Sequence, residues 1–373
     1  MENRIQTYLS EHQSEIIEDI LQLVNVQASS AEIEKLKDVR AHLKALIQKR
    51  LNVSVDEVEV PSSRNVLFSG TKESSIVLMG HYDTVHPAGK LPVVLSEDVL
   101  KGPGVLDMKS GLVMGIWAMK AIHDLQLTTA YPVSLLYNGD EEIGSRDSKG
   151  ILQDTVKNAK CVLILEPGVE NGDAKTGRKG AMACDVAIFG KASHAGNHPE
   201  EGINAILEMS HQVIMLQALN DNPHGTTVNV GKISGGTVSN VVPDYCEVTV
   251  DLRYKTMDEK ERIQKAIMDL PLMCEGTRKE VKFSEGSNPL EQSEKNMQLY
   301  ETAKNCAQQL GFELGHQFVG GASDGNRIAH LNLPILDGMG AVGKGIHALN
   351  EQIDIEKTMQ RLGLLISLLV NIT

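Results

Sequence analysis

Three apolar runs in this 373-residue chain end on side chains able to bind a divalent cation. Residues 75–80 lead into His81-Tyr82-Asp83, residues 133–137 into Asp140, Glu141 and Glu142, and residues 161–165 into Glu166-Pro167-Gly168. Between the first two, the string GPGVLDMKSG places Asp107 just before a helix expected to begin near Ser110. His81 and Asp83 are two apart, so in extended chain they project from the same side, where one can bind a metal and the other orient it. Taken singly, each residue has an ordinary reading: a His at a strand end is a satisfied polar group, a Glu pair lies in water, and an Asp before a helix is its N-cap. Gathered at the ends of three strands, the carboxylates would raise one another's pKa and lose solvation unless a cation sat among them. Carboxylates around imidazole suit zinc-like ions and make a poor site for an apolar ligand.

Such a cluster needs an open α/β sheet, whose ligand crevice lies beyond the carboxyl ends of its strands. Apolar residues recur every three or four positions along 5–24 and 33–46, which predicts two opening helices, with Ser29 and Ser30 placed to cap the second. An amphipathic stretch over 111–125 separates the first two apolar runs, so strands alternate with helices and the sheet is expected to be largely parallel. The pattern changes after Gly177: strand 182–190, helix 202–219, strands 227–233 and 247–253, helix 258–270 and strand 280–283. That is βαββαβ, the split order of a ferredoxin-like lobe. Helix and strand alternate again from Glu294, ending in a helix over 355–369. The expected architecture is one α/β catalytic domain, residues 1–178 and 286–373, interrupted by a ferredoxin-like lobe over residues 179–285.

Composition narrows the function further. With 36 Lys and Arg against 49 Asp and Glu, the net charge is −13, and there are only 13 aromatic residues (5 Phe, 7 Tyr, 1 Trp). Neither phosphate neutralisation nor base stacking is available, so nucleic acid is excluded as a partner. No apolar run approaches the ~20 residues of a membrane span, and the amino-terminal segment lacks the apolar stretch of a secretory signal. A soluble, cytoplasmic protein is expected. The five cysteines show no C-x-x-C spacing and read as reduced structural thiols.

The strings HYDTV, GPGVLDMKSG, DEEIGS, LEPG, GKASHAG, VSNVVP, DLRY, GGASDGN and GKGIHALNE occur in that order over almost the whole chain. Together with the inserted lobe they resemble the M20 dinuclear zinc peptidases and amidohydrolases, with the closest likeness to the glutamate carboxypeptidase (carboxypeptidase G2-like) branch. The resemblance implies two Zn²⁺ per subunit, with Co²⁺ or Mn²⁺ as possible substitutes. His81 and Glu166 would be terminal ligands of one ion, Glu142 and His347 of the other, and Asp107 would bridge them. It further implies that Asp83 holds His81 in its ligating tautomer, and that Glu141 is the general base, taking a proton from the attacking water and delivering it to the leaving amine. The Asp107-Met108 peptide would be cis. His194 would reach across a homodimer interface made by the inserted lobe, and Asn240 and Arg253 would hold the substrate's free α-carboxylate, a task suited to the planar guanidinium fork.

The implied reaction is hydrolysis of an amide bond next to a residue with a free α-carboxylate, in a small peptide or an N-acyl amino acid. A carboxypeptidase leads, with N-acyl-amino-acid deacylase and di- or tripeptidase as alternatives. One departure concerns the side chain selected: where glutamate-specific members tend to carry an Arg before a proline, this chain has Ser287-Asn288-Pro289. A rival serine hydrolase rests on Gly321-Ala322-Ser323-Asp324-Gly325, which fits G-x-S-x-G and is followed by Asp337 and His347. It leaves the other candidate metal ligands unexplained. No complete phosphate-binding glycine motif occurs, and a binding module without turnover would lack the base that Glu141 supplies.

Overall fold

The computed structural model describes residues Met1–Thr373. The periodic amino-terminal positions form two helices, Glu2–Asn25 and Ile33–Leu51, which bury Ile5, Ile16, Ile20 and Leu23 from the first and Leu36, Val39 and Leu43 from the second. Each such side chain contributes roughly 1.5–3 kcal/mol on burial. The second helix starts without a side-chain cap: Glu32 occupies the N-cap, and the expectation for Ser29 and Ser30 is corrected. The Ser29 hydroxyl donates to the Glu32 carboxylate and the Ser30 hydroxyl to that of Asp83, so both side chains serve the loop between the helices instead.

Contacts divide the chain into two units. The first comprises Met1–Gly177, Gln292–Val319 and Ser323–Thr373; the second comprises Arg178–Glu291 with Gly320–Ala322. In the first, six strands lie in the order Asp56–Val58, Val66–Ser69, Val133–Asn138, Ile76–His81, Cys161–Ile164, Ile335–Leu336. Ile76–His81 runs parallel to both neighbours and Ile335–Leu336 parallel to Cys161–Ile164, while the two strands at the opposite edge are antiparallel. The parallel strands are buried on both faces, which is why they read as unbroken apolar runs. From Ile76–His81 the chain crosses to Val133–Asn138 on one side and then to Cys161–Ile164 on the other, so the topological switch point lies at the carboxyl end of Ile76–His81. Register aligns His81 with Asn138 and Met79 with Ile164, and residues 81–83, 139–142 and 165–166 therefore leave the sheet at one edge.

Helix Ser110–Asp124 buries Leu112 against Gly80 of the sheet, turns Trp117 toward the first helix, where its indole N–H donates to Asp19, and packs against the terminal helix Ile355–Asn371. It is preceded by an irregular turn, Val105–Lys109, that contains the cis Asp107-Met108 peptide. A small antiparallel sheet pairs Val94–Leu95, Val99–Lys101, Gln352–Asp354 and Gly343–Lys344; the loop between the last two carries His347. These strands are two or three residues long and leave no periodic trace in the sequence.

The second unit is a four-stranded antiparallel sheet in the order Thr227–Gly235, Tyr245–Tyr254, Gly180–Phe189, Arg278–Phe283. Helices Ala205–Ala218 and Met257–Met268 are capped by the side chains of Asn204 and Thr256. Strand alternation puts Met182, Cys184, Val186, Ile188, Val248, Val250 and Leu252 into the core with Ile263 and Ile267, and leaves the other face open to solvent in part. The chain is thus an α/β domain with an inserted ferredoxin-like unit, the fold class expected from the order of its elements.

Candidate metal centre

His81 closes its strand with the imidazole buried, and its Nε2 lies 3.1 Å from Asp107 Oδ1 and 3.4 Å from Glu166 Oε1. The second Asp107 oxygen, Oδ2, lies 3.2 Å from His347 Nε2, which is also 3.2 Å from Glu142 Oε2. Two triads result, His81–Asp107–Glu166 and Asp107–Glu142–His347; within each, the potential ligand atoms lie within 4.8 Å of one another. Asp107 belongs to both, one oxygen to each. His347 is half-exposed and adopts φ 61°, a backbone region that non-glycine residues rarely occupy and that gathers at functional sites.

Charge in the cluster is far from balanced. Burial alone would lower the His81 pKa, but hydrogen bonds with Asp107, Asp83 and Glu166 more than offset this and raise it well above the ordinary histidine value. His347 is pushed up to about 10 by hydrogen bonds with Asp107 and Glu142. Burial would raise Asp107, yet the His347 and His81 imidazoles hold it far below the usual carboxylate range. Burial raises Glu142, partly offset by His347, and its Oε1 is buried without a hydrogen-bond partner. Burial also raises Glu141, with the negative charges of Glu166, Asp324 and Glu142 adding to it. A divalent ion fits this donor set: it would neutralise the clustered carboxylates and displace the imidazole protons.

Behind the donors, Asp83 organises the carboxyl-end loops. The His81 Nδ1 lies 3.0 Å from the Asp83 main-chain oxygen and 3.3 Å from its carboxylate Oδ1, so a proton on Nδ1 leaves the Nε2 lone pair free. The same carboxylate accepts the main-chain N–H groups of Glu141 and Glu142, each at 3.2 Å. Glu351, to which sequence reasoning assigned no role, accepts the main-chain N–H groups of Gly104, Leu106 and Asp107 and so fixes the turn that presents the shared carboxylate. Its position in the GKGIHALNE string, four residues after His347, was the available signal.

The serine rival does not survive the geometry. Ser323 is buried as the N-cap of Asp324–Ile328; its hydroxyl donates to Asp337 Oδ2 at 2.6 Å and accepts from Gly325 N. The only imidazole that reading could use, His347, sits between Asp107 and Glu142, so Ser323 has no base to activate it. Ser323→Ala is expected to keep turnover and lose about 1–3 kcal/mol of stability, because it removes a helix cap and the donor to the buried Asp337 carboxylate. Measured by kcat and denaturant unfolding, a folded variant without activity would restore the serine mechanism.

The remaining candidates lie in the inserted unit. His194 ends the short strand Ser193–His194, paired with Val241–Val242, and the N–H of Ala195 donates to the Asn240 carbonyl, so His194 and Asn240 share one corner. The His194 ring Nδ1 accepts the N–H groups of Gly196 and Asn197 at 3.1 Å each, which places the ring proton on Nε2. Arg253 stands on the sheet face away from the unit's core, where its Nε donates to Asp251 at 2.9 Å. Asn288 accepts a hydrogen bond from Lys260.

Comparison with known proteins finds peptidase families and relatives. The M20 peptidase dimerisation domain model matches residues 176–271, and the peptidase family M28 model matches residues 65–188, a span that includes His81, Asp107, Glu141, Glu142 and Glu166 but not His347. Carboxypeptidase G2 of Pseudomonas sp. (strain RS-16) is 28% identical, covering 95% of this chain and 88% of its own length. Acetylornithine deacetylase of Proteus mirabilis is 28% identical over 64% of this chain and 66% of its own. Among solved structures, the aminopeptidase PepT from Bacillus cereus superimposes with a TM-score of 0.81 at 21% identity, covering 96% of this chain and 98% of that one, a likeness of fold. No helix is long and apolar enough to cross a membrane.

Proposed function

We propose that this chain, a member of the M20 family of metal-dependent peptidases and amidohydrolases, cleaves an amide bond next to a residue with a free α-carboxylate, as a carboxypeptidase of small peptides. The observation that carries this reading is the Asp107 carboxylate shared between two His–carboxylate triads. Zn²⁺ suits the donors: His81, Asp107 and Glu166 would hold one ion and Asp107, Glu142 and His347 a second. Bound there, divalent ions supply Lewis-acid polarisation and a water acidic enough to attack near neutral pH. Glu141 acts as the general base. Its carboxylate belongs to neither donor triad and stands beside both, which suits a group that takes the proton of the attacking water and returns it to the leaving nitrogen. Asp83 orients both Glu141 and His81.

In the inserted unit, the proton on His194 Nε2 is free to be donated to the carbonyl oxygen as it gains negative charge. Arg253 and Asn240 are assigned to the substrate α-carboxylate. The unit also supports a homodimer. Thr227–Gly235 is an edge strand on which Ile233 is 62% exposed, and the adjacent helix Ala205–Ala218 leaves Ile206, Leu207 and Ile214 in solvent, a surface suited to a second copy. An N-acyl-amino-acid deacylase is the second reading, favoured by Asn288 in place of the expected Arg and by the similarity to acetylornithine deacetylase.

The test is a panel of dipeptides, tripeptides, N-acetyl amino acids and benzoyl-glutamate, each with and without chelator, with metal content measured on the same preparation. Chelator-sensitive cleavage restricted to substrates with a free α-carboxylate is expected. Equal cleavage of carboxyl-amidated peptides would overturn the carboxylate requirement, and the fastest acyl or peptide substrate separates the two readings.

A further inference from the structure

We propose that Ser30, in the loop between the first two helices, is a positioning residue of the metal centre. The inference rests on the metal reading above. The buried Asp83 carboxylate receives four polar contacts. Its Oδ1 takes the Glu141 N–H at 3.2 Å and faces His81 Nδ1 at 3.3 Å; its Oδ2 takes the Glu142 N–H at 3.2 Å and the Ser30 hydroxyl at 2.7 Å. A carboxylate only accepts, so the Ser30 hydroxyl is the donor. It is the shortest of the four contacts and comes from a segment more than fifty positions earlier in the chain.

Ser30 is itself held on its main chain. Its N–H donates to the Thr84 carbonyl at 2.9 Å, and its carbonyl accepts Nε and one terminal nitrogen of Arg64 at 2.9 and 2.7 Å. The hydroxyl therefore acts from an anchored position. Its hydrogen bond sets the plane of the Asp83 carboxylate, and that plane decides where the His81 ring and the Glu141-Glu142 main chain stand. Remove the hydroxyl, and the carboxylate loses the shortest of its four contacts and can shift about its Cβ–Cγ bond, moving a ligand imidazole, a ligand carboxylate and the base together. Ser30 belongs to neither donor set; it acts through Asp83.

Thr84 provides a control built into the same loop. Its hydroxyl donates to the Ala28 carbonyl at 2.9 Å, tying down the loop between the helices without touching Asp83. The experiment titrates zinc into the metal-stripped full-length chain against a chromophoric chelator, for wild type, Ser30→Ala, Ser30→Thr and Thr84→Val, alongside the melting temperature of each metal-free chain. The zinc dissociation constant is expected to rise about tenfold in Ser30→Ala, the lower end for losing a partner behind a ligand, to return to wild type in Ser30→Thr, and to stay at wild type in Thr84→Val. On activity, Ser30→Ala should lower kcat and leave KM unchanged. Wild-type zinc affinity in Ser30→Ala, or equal weakening in Thr84→Val, overturns the proposal. If the alanine variant does not fold, Ser30→Cys replaces it: its weaker S–H donor should bind zinc less tightly than Ser30→Thr, and equal affinity overturns the proposal. A wild-type chain that takes up no zinc overturns the metal reading itself, and this inference with it.

Discussion

Glu141→Ala should lower kcat by about 10²- to 10⁴-fold, the usual worth of a positioned general base, while metal content stays at the wild-type level. The separation is expected because the Glu141 side chain belongs to neither triad of donors, and its link to Asp83 runs through the main-chain N–H, which alanine keeps. Proton transfer is what the substitution removes. In the metal-free chain burial, reinforced by the carboxylates of Glu166, Asp324 and Glu142, makes this carboxyl hold a proton more readily than a solvated glutamate. The check is kcat and elemental analysis on one preparation. Turnover retained with full metal would remove Glu141 from the reaction; metal lost along with turnover would make it a ligand instead.

Asp107→Ala has the largest expected effect on the metal. Each of its oxygens faces a different imidazole, so losing the side chain weakens both sites, whereas His347→Ala leaves the His81–Asp107–Glu166 set whole. Zinc affinity should fall by more than the ~10- to 100-fold typical of a partner behind a ligand, at both sites in Asp107→Ala and at one in His347→Ala, which should retain half the wild-type metal. Equal metal loss in the two variants would contradict the shared-ligand geometry. The same contacts set a pH dependence. In the metal-free chain His347, pushed up to about 10 by Asp107 and Glu142, holds a proton at neutral pH that a bound ion must displace. Zinc binding should therefore release protons and tighten as pH rises toward 10. The sign for stability is the reverse: a folded pKa above the unfolded value stabilises the metal-free chain fully below pH 6.5, and that contribution is lost as pH rises through about 10. Unfolding of the chelator-treated chain at neutral and alkaline pH measures it.

Much of this site could be read without coordinates because its parts are locally encoded. Ile76–His81, Val133–Asn138 and Cys161–Ile164 are buried on both faces, so each shows as an apolar run whose end is marked by the first polar residue. The order of elements in the inserted unit was equally legible, because one face of each strand is buried and one solvated, leaving a period of two. Parallel pairing through the centre of the sheet follows from the crossovers between those strands.

What tertiary structure decided is what comes from pairings distant in sequence and too short to leave a period. That Asp107 divides its two oxygens between His81 and His347 depends on a loop held by pairings of two or three residues, Gly343–Lys344 with Gln352–Asp354 and the latter with Val99–Lys101. Ser30 reads as a helix cap from its neighbours because a hydroxyl before a helix has the same local signature whether it bonds that helix or, as here, a carboxylate far along the chain. Ser323 sits in a nucleophile-like string and is a buried cap bonded to Asp337, since a glycine-rich string records flexibility and not which imidazole stands nearby. The sequence by itself determined which residue types reach the sheet's carboxyl edge, because burial along a strand is a local property. Only the folded chain decided which of them stand together as two triads around Asp107, because that requires closing loops whose hydrogen bonds form after distant segments have met.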